Sequence, residues 1–207
     1  MGFKIKKKKS FFNRLKFSDK IDVLSEAIDL FKANKWQEAF EAAEKAVETY
    51  PKERRFWEII AISGSYLGEY SSLQRAYGKL VAFDANDDQA WYGLAQAYAF
   101  GARVALSVRT YKQFLERFPF DSKAKDAEDF VKAGEKDLQA IFDVFGLPNN
   151  EESFNLACLH EKIQVLMAQG NFEQAIRKSD ELLQKQRVCR KLFAKKSIRL
   201  NNCPKLQ

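Results

Sequence analysis

The stretch WYGLAQAYAFGARVALSVRTYKQFLERFP, residues 91–119, sets the reading of the whole chain. Trp91, Leu94, Ala95 and Tyr98 recur at helical spacing, and so do Tyr111 and Phe114 further on. Gly101-Ala102-Arg103 breaks the pattern between them and Pro119 closes it, so the segment predicts two helices joined by a tight turn. Neither helix can bury its apolar stripe alone. Such a pair has to stack on a neighbour of its own kind.

A shift of about 34 residues, the period of such helix pairs, brings those neighbours into view. Ala27 falls on Ala61 and Ala95, and Trp57 on Trp91. Trp36 falls on Tyr70 and Val104, and Ala46 on Leu80 and Phe114. Pro51 and Pro119 lie two periods apart with Ala85 between them. In the first unit Val23, Ala27, Leu30 and Phe31 make one stripe, and Ala39, Ala43, Ala46 and Val47 the next. The breaks recur as Asn34-Lys35 and Gly68-Glu69.

In Trp91, Leu94, Ala95, Tyr98, Tyr111, Phe114 and Pro119 the chain resembles the tetratricopeptide repeat family, whose unit is a helix–turn–helix of about 34 residues. The first unit departs from that pattern at Val23, where Trp is expected, and the second at Gly64 and Ala85. Leu166, Gly170-Asn171-Phe172, Ala175 and Leu182 fit the same template two periods after the third unit. The stretch between, 122–155, fits poorly and reads as one long helix or two degenerate ones. The resemblance implies an all-α, right-handed superhelical array. The expected organisation is a basic aromatic segment at 1–18, three consecutive repeats over 19–120 and a degenerate helical stretch with a loop over 121–150. A fourth repeat over 151–187 and a basic cap or tail at 188–207 complete it.

Catalytic side chains are sparse. His160 is the only histidine, so no mechanism that needs two is available. Cys158, Cys189 and Cys203 form no Cys-x-x-Cys pair and no disulfide framework, which points to a reducing compartment and to no zinc site. No glycine-rich phosphate loop is present. The reading is therefore non-enzymatic, without metal or cofactor. No segment reaches the roughly 18 to 20 apolar residues that span a bilayer. A cytoplasmic place is expected, with membrane-peripheral association open.

In a stacked array of this family the first helix of each pair lines the concave side, which usually takes an extended peptide or a partner's helix. The candidate groove residues are then Arg55, Glu58, Ile62 and Tyr66 in the second unit, Gln89, Tyr92, Gln96 and Phe100 in the third, and His160 and Gln164 in the fourth. Tyr92 and Gln96 lead, because Leu94, Ala95 and Tyr98 already account for a packed face. Tyr66 and Phe100 have the alternative of closing helix ends. The carboxylate clamp of one subset of the family is not expected, since Leu24, Ile28, Ile59, Gln89 and Gly93 stand in its places.

Net charge is +7, and it is unevenly spread. Residues 1–20 carry eight Lys/Arg and one acid, residues 185–207 eight Lys/Arg and none, and the body between has net charge −8. Lys4, Lys6, Lys7, Lys8, Lys9, Arg14 and Lys16 alternate with Phe3, Ile5, Phe11, Phe12 and Leu15, a pattern that suits an anionic membrane surface. Nucleic acid, bound through phosphate contacts, is the second option. A basic arm whose phenylalanines cap the array is the third, and a further one is that either basic end lies in the acidic body of its own or another copy.

Overall fold

The computed structural model describes residues 19–185, all of them in helices or the short connections between helices. Among the described residues nine helices follow in order: α1 (19–32), α2 (Trp36–Thr49), α3 (Arg54–Leu67), α4 (Tyr70–Phe83), α5 (Asp88–Phe100), α6 (Val104–Arg117), α7 (Ala124–Phe145), α8 (Glu151–Ala168) and α9 (172–185). From α2 to α6 each helix packs against the next, so hairpins stack in chain order. The chain divides into two compact units, at Ala133 and Gly134, within α7.

Local devices repeat with the sequence period. Asn34, Gly68 and Ala102 all take left-handed backbone, at φ 56°, 74° and 55°. One residue later an amide reaches back across the helix end: Lys35 N–H to Leu30 O, Glu69 N–H to Gly64 O and Arg103 N–H to Tyr98 O. These bonds satisfy carbonyls that the ending helix would orphan. Gly170, at φ 72°, and the Asn171 N–H to Leu166 O bond make the same turn between α8 and α9.

The glycine in the third break plays a part besides the turn. Ala102, not Gly101, carries the positive φ. Gly101 instead lets the Gln74 amide of α4 approach; a Cβ there would lie 2.2 Å from Gln74 Nε2, which donates to Ala97 O at 3.1 Å. Gly93 works likewise, since a Cβ would stand 2.4 Å from the Tyr77 ring. In both cases a missing side chain allows α4 to seat on α5.

Between hairpins three devices recur. Trp57 Nε1 donates to Pro51 O at 2.9 Å and Trp91 Nε1 to Ala85 O at 3.0 Å. The acceptor is a backbone carbonyl, so Ala85 replaces Pro without loss. Lys20 pairs with Glu53 at 2.6 Å and Arg54 with Asp87 at 2.5 Å, two rungs one period apart. The next rung would be Asp88 with Asp121, two acids. Finally Trp36 stacks on Tyr66 with centroids 4.3 Å apart, and Tyr70 on Phe100 at 5.9 Å. The third clasp position holds Val104 and Gly134, and there the aromatic series ends.

The first unit's core runs through Ala27, Ala43, Phe56, Ile60, Ala61 and Leu80. Leu24 is buried in it and Ile28 packs against it, so these two apolar residues of α1 are used internally. In α7 a single 22-residue helix replaces a hairpin. The second unit contains the α8–α9 hairpin, built on Ile163, Leu166 and Ala175 with Leu182 alongside.

Candidate functional site

Helices α3 and α5 bury one side and leave another open. On α3 the buried set is Phe56, Trp57, Ile59, Ile60, Ala61, Ser63 and Gly64. Arg55 and Tyr66 are exposed, and Ile62 is 42% exposed. Glu58 is half-buried and accepts from Arg54 Nε at 2.7 Å. On α5, Gln89 and Phe100 are exposed and Gln96 is half-exposed.

Tyr66 and Phe100 each commit one ring face to a clasp and remain 66% and 63% exposed. The ring is thereby held in one orientation while its other surface faces outward. A pre-oriented aromatic contributes contact area at little entropic cost.

Tyr92 differs from the sequence reading of an outward side chain. Its ring is half-buried, with edges against Tyr111 and Phe114 of α6, both at 5.5 Å. Lys123 Nζ sits 5.2 Å from the ring centroid, and Phe130 of α7 stacks on Tyr111 at 5.2 Å. Burial, with Asp126 adding to it, pushes the Tyr92 phenol above its ordinary range. Burial drives the Tyr111 phenol far higher, helped by Tyr92 and Asp126. Both therefore stay neutral donors at any physiological pH. Lys123, Asp126 and Phe130 were absent from the sequence-based set because α7 fits the repeat poorly; their nearness to Tyr92 comes from packing.

The places of a carboxylate clamp are occupied otherwise. Leu24 and Ile59 are buried, and Gly93 lies under the Tyr77 ring. His160, exposed, and Gln164, half-buried, belong to α8 in the second unit. Lys4, Lys6, Lys7, Lys8, Lys9, Arg14 and Lys16, and the tail from 188, lie outside the described residues.

In the second unit Lys162 of α8 is half-buried, and burial, with Lys178 adding to it, lowers its pKa. Cys158 is buried. Among the described residues no three His, Cys, Asp or Glu side chains gather as a metal site, and no helix is long and apolar enough to cross a membrane.

Residues 89–121, which are α5, α6 and their flanks, match the tetratricopeptide repeat family model. The neighbouring hairpins, stacked in sequence at the same period, repeat the helix–turn–helix arrangement of the matched segment. Solved structures with the same kind of fold include the first such domain of Spaghetti (RPAP3), bound to the HSP90 peptide SRMEEVD. It is 16% identical, with 58% of this chain and 93% of that one covered and a TM-score of 0.47. A tetratricopeptide repeat protein from Parabacteroides merdae is 13% identical over 79% of this chain and 64% of its own, with a TM-score of 0.47. TTC0263 of Thermus thermophilus is 15% identical over 80% and 91%, with a TM-score of 0.42. No curated protein matches the chain.

Proposed function

We propose that this protein is a non-enzymatic adaptor that holds a peptide or helix of a partner protein on the open side of α3 and α5. Tetratricopeptide repeat proteins commonly mediate protein–protein interactions. The observation that supports the site here is the pair of clasped, half-open rings Tyr66 and Phe100, one repeat apart. Ile62 adds apolar area beside them, and Arg55, Gln89 and Gln96 supply polar groups suited to an extended backbone. Tyr92, half-buried, also braces α5 against α6. The basic ends, in this reading, place the adaptor near an anionic surface.

The test is affinity capture from native lysate with wild type and an Ile62→Ala/Gln89→Ala/Gln96→Ala variant, with protein, lipid and nucleic acid all quantified. Loss of one protein from the variant's capture, at unchanged melting temperature, supports the groove. Identical captures dominated by nucleic acid, collapsing as salt is raised, would replace it with the second reading, a nucleic-acid-associated accessory protein.

A further inference from the structure

The outer face of α1 differs from its counterparts in a way that names an occupant. Asp22, Glu26 and Asp29 fall 34 residues before Phe56, Ile60 and Ser63, and 68 before Ala90, Leu94 and Ala97. All six counterparts are buried. They belong to the side of α3 and α5 that receives the preceding helix: Phe40 of α2 packs on Gly64, and Tyr77 and Gln74 of α4 pack on Gly93 and Gly101. On α1 the same side is exposed at all three acids, which have no ion pair among the described residues. With Ser25, Leu30, Ala33 and, at one end, Lys35 they line an open depression of about 580 Å³.

The sequence register says what would sit there. One period before α2 (Trp36–Thr49) lie residues 2–15. Within them, the positions of Phe40 and Gln74 correspond to Lys6, and those of Ala43 and Tyr77 to Lys9. Three positions that are buried in later repeats are thus taken by acids on α1, and the positions of Phe40, Gln74 and Tyr77 by lysines in the preceding segment. Both sides of one interface change together, and with opposite sign. A polar end cap needs charge but no particular sign, so solubility alone does not account for this pairing.

We propose that residues 2–15 seat on the outer face of α1 as a half-repeat held by charge, with Lys6 and Lys9 against Asp22, Glu26 and Asp29. Later repeats are joined by buried apolar area, which salt hardly weakens. This joint is ionic and exposed, so it opens as salt rises. The same lysines are those available to an anionic surface. Seating them on α1 and binding such a surface are mutually exclusive.

Zero-length carbodiimide cross-linking of the full chain tests this without altering a residue. At about 50 mM salt, peptide mapping is expected to find Lys6 or Lys9 joined to Asp22, Glu26 or Asp29, and far less of that product at about 500 mM. Lys6→Glu/Lys9→Glu should reduce segment-to-α1 product roughly tenfold, as losing a few exposed pairs implies. Adding Asp22→Lys/Glu26→Lys/Asp29→Lys should restore it with the charges exchanged. Helix content by circular dichroism should be the same in all three chains. Products spread equally over Glu38, Glu41 and Glu48 would overturn the proposal. So would products found chiefly between isotopically distinct chains, which would make a second copy the occupant, or a failure of the exchanged charges to rescue.

Discussion

The α5–α6 and α8–α9 hairpins close with the same turn, but the residues that fasten the first to its neighbours do not recur in the second. Both carry a left-handed residue followed by an amide that reaches back five residues. Around α5 there are also the Trp91 anchor to Ala85, the Arg54–Asp87 rung and the Tyr70–Phe100 clasp. Two periods on, Trp91 corresponds to Leu159, Asp87 to Asn155 and Phe100 to Ala168. Phe172 keeps an aromatic at the clasp position but is 62% exposed. One set of residues makes a hairpin; a separate set joins hairpins.

That separation can be broken experimentally. Trp91→Ala should have the largest effect, about 3 to 5 kcal/mol from lost aromatic burial. Hydrogen exchange should place the loss in α4–α6 and spare α8–α9; equal loss in both units would mean that the anchor is not local. Gly93→Ala comes next, at about 1 to 3 kcal/mol, because its Cβ would strike the Tyr77 ring. Denaturant melts would show this, and a neutral result would mean that α4 and α5 do not meet so closely.

Ala102→Gly should act in the other direction. It relieves a left-handed alanine and raises stability by about 1 kcal/mol, making this turn like the one at Gly170. A lower melting temperature would contradict the turn geometry. The smallest effect belongs to Glu181 on α9, whose carboxyl is held down at about 2 by Lys178 and Lys185. Its folded pKa is depressed, so its contribution is complete above the ordinary carboxylate value near 4.5 and is lost as pH falls towards 2. Carboxyl titration followed by NMR should show that displacement; an ordinary value would mean the pairs do not hold the carboxyl in solution.

How much of this could be read beforehand depended on distance along the chain. The period, the paired helices and the small residues at Ala27, Ala61 and Ala95 are local patterns, and the sequence displays them directly. Gly101 lies in the turn, as a glycine at a break suggests, but its second use was hidden: its missing Cβ also serves a contact with Gln74. Tyr92 hid its second use for a related reason. Assigning Leu94, Ala95 and Tyr98 to the packed face left it facing outward, but α6 offers Tyr111 and Phe114 at its flank. The ion rungs escaped notice because their partners lie 33 residues apart, where charge patterning within one helix gives no signal.

The rungs and clasps of the first unit have one more consequence. Each ties residues separated by about one repeat: 33 positions for Arg54 and Asp87, 30 for Tyr70 and Phe100. Such a unit never has to close a loop longer than one repeat, so its contact order is low and its folding barrier small. Each joint can form as soon as the next few dozen residues leave the ribosome, in the order of synthesis.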